Sequence, residues 1–375
     1  VAGVTFTWVR DPLPPGLNQV VAGSGVGPIA ETLSNITSSQ LSATYTVTPT
    51  SGAGCLGATY VVTVPINPEP VGVDITRAAQ CSNVAFSLSP DNVTNGVAGS
   101  TFTWVRNALP VGLTQVVGGT GVGAIAETLR NLTSGQLNAT YTVTPTSGVG
   151  CVGATYVVTV PVNPEPVGAA ITRASQCSNV GFSLSADNIT NGVAGVTFSW
   201  VRNPLPAGLT QVVAGTGVGP IAETLRNLTS AQLSATYTVT PTSGAGCVGA
   251  TYVVTVPVNP EPVGADVTRT AQCSNVGFSL SADNITNGVA GVTFSWVRNA
   301  LPVGLTQVTA GTGTGPIAET LQNLTGGQLS ASYTVTPTSG AGCVGASYVI
   351  TIPVNPEPIG ADITRAPQCS NLQTI

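Results

Sequence analysis

An all-β fold, built as a tandem array of β-sandwich domains, is predicted for this 375-residue chain by three observations. The first is repetition. Trp8, Trp104, Trp200 and Trp296 follow one another at 96 residues, and so do two cysteine series, Cys55, Cys151, Cys247, Cys343 and Cys81, Cys177, Cys273, Cys369. The second is alternation: stretches such as Val196-Thr197-Phe198-Ser199-Trp200 place every other residue on one face, the period of a half-buried strand. The third is punctuation. With 45 glycines and 28 prolines, no window sustains a helical period.

A 96-residue unit is too long for a solenoid repeat and has the size of an independent domain. Each copy therefore closes its own core. The boundaries follow from the prolines: a partial repeat at 1–67 that lacks the first strands, full repeats at 68–163, 164–259 and 260–355, and the opening strand or strands of a further repeat at 356–375.

The third copy shows the elements in order. Val167–Thr172 reads as a first strand leaving a proline-rich linker, and Asn179–Ser185 as a second with Val180, Phe182 and Leu184 inward. Asp187–Gly192 is a turn in which Asn191-Gly192 supplies the positive φ. Val196–Arg202 is a strand carrying Trp200. Asn203–Gly208 is a loop, Thr210–Val213 a short strand, and Ala214–Gly219 a glycine-rich loop. Ile221–Leu228 crosses the domain, and Ser230–Leu233 reads as a single helical turn. The closing hairpin pairs Ala235–Thr240 with Thr251–Val256, and Pro257, Pro260 and Pro262 stiffen the exit. Seven short strands at this spacing predict a sandwich.

Leu233-Ser-Ala-Thr-Tyr237-Thr-Val239 resembles the tyrosine corner of immunoglobulin-like domains, which implies that the Tyr237 hydroxyl ties to nearby backbone. Trp200 matches their central tryptophan, whereas Val239 stands where antibody domains carry the second cysteine. The fold class is thus a tandem array of immunoglobulin-like sandwiches with one disulfide per domain. The whole unit, with its Tyr-Thr-Val-Thr-Pro-Thr-Ser-Gly-Ala-Gly-Cys hairpin, Val-Asn-Pro-Glu-Pro linker and Gln-Cys-Ser-Asn opening, resembles the PKD-like and immunoglobulin-like repeats of very large Bacteroidota surface proteins. That resemblance covers the entire chain. It implies secretion to the cell surface or medium, by the type IX route, and a structural or adhesive role.

Regularly spaced cysteines without Cys-x-x-Cys or histidine point to disulfides rather than zinc. Pairing within each domain is the expectation: Cys81–Cys151, Cys177–Cys247 and Cys273–Cys343. Cys55 and Cys369 are then left for partners in neighbouring units. Oxidised cysteines place the protein outside the cytosol.

Charged residues make up 7% of the chain, the net charge is −5, and all ten basic residues are arginine. Without a basic patch there is no electrostatic footprint for nucleic acid. No apolar run approaches the ~20 residues of a membrane helix. The chain has no histidine, so the commonest general base and metal ligand are missing, and the serines and threonines have nothing to activate them. Asp187 and Glu223 form the nearest thing to a catalytic carboxylate pair, but read as a turn aspartate and an exposed strand glutamate. No enzyme is expected. No cofactor is expected either; the one candidate is calcium at the junctions, held by Asp187, Asn188 and Asn191 or by Glu261 and Asp266, although Ala170 replaces Asp266 in another copy.

Asn-x-Thr triplets at Asn35, Asn92, Asn131, Asn138, Asn188, Asn227, Asn284 and Asn323 are the candidate glycan acceptors, or simply turn and strand chemistry. A surface so poor in charge needs hydroxyls, covalent glycans or burial in a polymer to stay unsticky. Val1 aligns with Val193, so the chain reads as a window of a longer array or as a subunit whose tail completes the next subunit's open first domain. The expected function is an extracellular filament or adhesin stalk assembled head to tail, with four units reaching on the order of 100–150 Å. The alternative is a glycan- or surface-binding module using the loops Asn203–Gly208 and Ala214–Gly219.

Overall fold

The structure is a computed structural model that describes residues 2–19, 23–213, 215–307 and 311–367; among them every regular element is a strand. Repeat two displays the architecture. Its larger sheet runs, in spatial order, Thr120–Val122, Thr101–Arg106, Leu137–Thr146 and Tyr156–Asn163. Two short segments, Ile75–Thr76 and Gln80–Cys81, then add in parallel to the outer edge of Tyr156–Asn163. The smaller sheet comprises Leu113–Val117, Ile125–Asn131 and Phe86–Leu88.

The core lies between these two layers. Tyr156–Asn163 alternates buried and half-buried residues along its length, putting Tyr156, Val158, Val160 and Val162 inward. They meet Ile125 and Leu129 from the smaller sheet. The Trp104 indole stands edge-on to Tyr141 with ring centroids 5.6 Å apart, a favoured arrangement of two quadrupoles. Gly121 lies against that indole so closely that a Cβ there would sit 2.6 Å from the ring, so only glycine lets the edge strand cross it. Each of the four repeats contains the same Trp–Tyr pair. Repeat four has the same large-sheet order as repeat two.

Several local expectations are corrected by backbone chemistry. The first strand is only Ile171–Thr172, because Gly168 instead makes an isolated bridge to Ile189. The second is only Phe182–Leu184; Asn179 turns the chain at φ +60°, which leaves Val180 exposed rather than inward. No helical turn forms at Ser230–Leu233. The Asn227 side chain organises that loop, its carbonyl accepting from the Thr229 N–H and hydroxyl at 3.1 and 2.7 Å. The hairpin strands run longer than expected, Leu233–Thr242 and Tyr252–Asn259, since Thr and Val continue the alternation through Pro241 and Pro257.

By contacts the chain divides into two compact units. One is Val1–Ala169 with Asp187–Phe198 and Thr240–Thr251; the other is Ala170–Ala186 with Ser199–Val239 and Tyr252–Ile375. Two loops of repeat three thus pack with repeat two. Repeat one contributes strands from Thr5–Arg10 to Tyr60–Ile66, and among its described residues nothing pairs with the outer edge of the last. Residues 356–367 carry no strand.

Candidate functional site: the junction between repeats

The best-defined polar constellation lies where one repeat meets the next. In the first unit, Asn191 stands on the tight turn of repeat three, with Gly192 behind it at φ +71°. Its amide nitrogen points at the carbonyls of Leu132, Thr133 and Glu165 in repeat two and the linker, at 3.1, 3.4 and 2.9 Å. Its carbonyl accepts from the Val167 N–H at 3.0 Å. One asparagine therefore satisfies backbone groups on both sides of the linker. Asn95 plays the same part toward Ile36, Thr37 and Glu69. In the second unit Asn287 does so toward Leu228, Thr229 and Glu261. The linker glutamates are fixed in turn, Glu165 by Arg130 at 2.8 Å and Glu261 by Arg226 at 2.9 Å.

The hairpin turns of repeats two, three and four also face the linker that precedes each of them. A Cβ on Gly249 would lie 1.9 Å from the Pro166 carbonyl oxygen, so the turn and the linker touch backbone to backbone. This contact decides the disulfides. Cys81 bonds Cys247 and Cys177 bonds Cys343, each with Cα atoms 5.3 Å apart and 166 residues between them. The expected bridges Cys81–Cys151, Cys177–Cys247 and Cys273–Cys343 do not form. Cys81 sits beside Asn163, whereas Cys151 precedes Tyr156 at the other end of the same strand. Seven residue steps at ~3.3 Å separate those ends by about 23 Å, beyond the reach of a disulfide. Cys81 and Cys177 instead meet the hairpin of the following repeat. Among the described residues two bridges join consecutive repeats, and none closes within a repeat. Cys151, Cys273 and Cys55 are free thiols, and Cys369 lies outside the described residues.

Inside each repeat the charges form a second constellation. The side chains of Arg106 and Glu127 are 9% and 0% exposed and meet at 2.8 Å, and the Tyr141 hydroxyl donates to the same carboxylate at 2.7 Å. Another nitrogen of Arg106 reaches the Gln115 side chain. Arg10–Glu31–Tyr45, Arg202–Glu223–Tyr237 and Arg298–Glu319–Tyr333 repeat the cluster. Two readings are thereby corrected. Tyr237 ties to a carboxylate rather than to backbone, and Glu223 is buried rather than exposed. The constant spacing of 21 residues between arginine and glutamate was the available signal, hidden because neither residue lies in an apolar run.

Burial, reinforced by the hydrogen bond to Glu31, pushes the Tyr45 phenol up to about 12. The same two causes raise Tyr141, Tyr237 and Tyr333. A tyrosine in the unfolded chain ionises near ~10. The stabilising contribution of these phenols is therefore complete below about pH 10 and is lost as the pH climbs through the raised folded values. Thermal midpoints should hold from neutrality to about pH 10 and fall steeply above it. The phenolate absorbance of these four tyrosines should emerge only with unfolding; early ionisation without unfolding would contradict the buried cluster.

The other sequence candidates separate cleanly. Asn35, Asn131, Asn227 and Asn323 are buried, and each amide nitrogen donates to two carbonyls, as Asn131 does to Gly135 and Val162, so the folded chain offers no glycan acceptor there. Asn92, Asn188 and Asn284 are half-buried, their amides bonded to the Val73, Ala169 and Ala265 carbonyls. Asn138 alone of the eight is exposed. Of the calcium candidates, Asp187 accepts from the Ile189 N–H and Asp266 from the Val349 N–H, and no group of three or more acidic or cysteine side chains gathers among the described residues. Among the described residues no helix is long and apolar enough to cross a membrane.

The repeat length, two-layer core and four-fold recurrence agree with a family-level comparison. The PKD-like domain model matches residues 1–70, 78–166, 174–262 and 270–358. The chain belongs to the PKD-like domain family. No curated protein matches the PKD-like chain. Among solved structures, it is similar to an I-band fragment of titin at 14% identity and a TM-score of 0.28, over 77% of this chain and 97% of that one. Drosophila N-cadherin EC1–4 is similar at 11% identity and 0.23, over 94% and 92%. A SusE-like surface located polysaccharide binding protein from the Bacteroides thetaiotaomicron heparin utilisation locus aligns at 11% and 0.25, over 91% and 55%. The chain spans 43% of an endo-fucoidan hydrolase of glycoside hydrolase family 107, at 15% identity and 0.22.

Proposed function

We propose that these PKD-like repeats form an extracellular structural element, a surface filament or adhesin stalk of a Bacteroidota protein, joined end to end and without enzymatic activity. The observation that carries this reading is that cysteines and asparagines are spent on the junctions. Cys81–Cys247 and Cys177–Cys343 bolt consecutive repeats together, and Asn95, Asn191 and Asn287 bond across each linker. An array selected only to display independent domains needs neither. Disulfides of this kind persist outside the cytosol. The buried carboxylates are ion-paired and the chain has no histidine, so its hydroxyls stay inert.

Small-angle scattering tests the mechanical role. The oxidised chain should give one profile with a fixed longest dimension. Reduction combined with Asn191→Ala and Asn287→Ala removes the bolts and about 1–2 kcal/mol of hydrogen bonding at each altered junction. The distribution of distances should then broaden. Identical profiles before and after would sink the reading.

A further inference from the structure

The chain contains three Asn-Gly pairs, Asn95-Gly96, Asn191-Gly192 and Asn287-Gly288, and all three stand at the junctions. The turn needs these glycines, because they lie at φ +68°, +71° and +72°. The same glycine makes the asparagine before it chemically vulnerable. It has no Cβ to shield its main-chain nitrogen from the preceding side-chain amide. Every other asparagine of the chain is followed by a larger residue, as Asn188 is by Ile189 and Asn284 by Ile285.

The closed junction withholds that reaction. The Asn191 amide nitrogen is turned toward the carbonyls of Leu132, Thr133 and Glu165, while its carbonyl accepts from the Val167 N–H. Ring closure requires the side chain to leave all four partners and swing its Cγ onto the Gly192 nitrogen. Asn95 is held from the far side by the Val71 N–H, and Asn287 by the Val263 N–H. Each asparagine is half-buried and its glycine exposed, so water reaches the pair once the bonds are broken. The Cys81–Cys247 bridge spans the Asn191 junction and Cys177–Cys343 the Asn287 junction, which holds both closed.

We propose that Asn95, Asn191 and Asn287 are one-way chemical switches, which deamidate when their junction opens and thereby stop it closing with the same bonds. The Gly192 main-chain nitrogen attacks the Asn191 Cγ, and the new C–N bond closes a succinimide. The side-chain nitrogen leaves as ammonia, taking the proton of the Gly192 N–H. Water then opens the ring at either of its two carbonyls, giving aspartate or isoaspartate. One water is consumed and one ammonia released, and nothing is oxidised or reduced. The product sets a carboxylate against the three carbonyl oxygens that had faced an N–H donor, so they are left unpaired and repelled. Isoaspartate also adds a carbon to the main chain within the tight turn. The chemistry needs only the junction bonds and is independent of whether the array serves as a stalk.

The test incubates the 375-residue chain in heavy-oxygen water at mildly alkaline pH, once oxidised and folded, once reduced and unfolded in urea. Peptide mapping follows the label at each asparagine. In the unfolded chain Asn95, Asn191 and Asn287 should take it up well ahead of Asn188 and Asn284. In the folded chain they should do so at least about tenfold more slowly, the factor that one or two net hydrogen bonds supply. Asn191→Asp supplies the product directly. The Glu165 and Thr190 N–H groups donate to the Asn131 and Val167 carbonyls at 3.3 and 2.8 Å, so their hydrogen exchange reports on both sides of the linker. Exchange there should quicken about tenfold in Asn191→Asp, while the core strand Leu233–Thr242 keeps its protection. Asn287→Asp should do the same at Glu261 and Thr286, whose N–H groups donate to the Asn227 and Val263 carbonyls. The proposal is overturned by equal labelling of folded and unfolded chains, or by labelling of Asn188 as fast as Asn191. It is also overturned if the junction amides of both variants exchange like those of the unaltered chain, or if exchange quickens throughout the core.

Discussion

Pulled from its two ends after its repeats have unravelled, the oxidised chain will stop roughly 670 Å short of its reduced length, at ~3.5 Å per residue. The bridges interleave along the sequence in the order Cys81, Cys177, Cys247, Cys343. The shortest covalent path therefore crosses from Cys81 to Cys247, runs back to Cys177 and crosses again to Cys343. Between Cys81 and Cys343 only the roughly 70 residues from Cys177 to Cys247 bear the load, and about 192 are hidden. Reduction under force will release them unequally. Breaking either bridge leaves one 166-residue loop, so the first step is about 90 Å and the second about 580 Å. Bridges closed within repeats would give equal steps of about 245 Å instead. A single-molecule trace with equal steps would overturn the inter-repeat pairing. The short first step also implies a safety margin, because losing one bridge barely lengthens the array.

Glu127→Ala should destabilise repeat two by about 3–5 kcal/mol, the usual cost of removing one partner of a buried ion pair. Arg106 is left charged and nearly enclosed, and the Tyr141 hydroxyl loses its acceptor inside the core. Arg130→Ala is the contrasting case. Its guanidinium is 45% exposed, so breaking the Arg130–Glu165 pair should change stability by no more than about 1 kcal/mol. Urea unfolding followed by the Trp104 fluorescence reports both. Equal small effects would mean that the buried cluster contributes nothing beyond the exposed pair.

The strand pattern of this chain is local information. Alternation across Thr197–Arg202 and Leu233–Thr242, and the Asn-Gly turn at Asn191, depend on residues within reach of one another, so periodicity alone places them. Short edge strands such as Ile171–Thr172 depend on what covers them, and reading them from Val167 overstated their length. The Arg–Glu–Tyr cluster was invisible for a related reason. A charged residue on a strand looks solvent-facing unless its partner, 21 residues away, is known to fold over it.

By itself the sequence determined the number of repeats, their length, their sandwich class and the residues that punctuate them, because composition, period and turn chemistry act within a few residues. The tertiary structure decided how the repeats are joined. Cysteines spaced 70 apart look like partners along the chain, yet they sit at opposite ends of one strand, about 23 Å apart. The hairpin carrying Cys247 meets Cys81 only because the proline linker turns it onto the end of the previous repeat. A pairing between residues 166 apart is fixed by geometry in space, which no local pattern encodes.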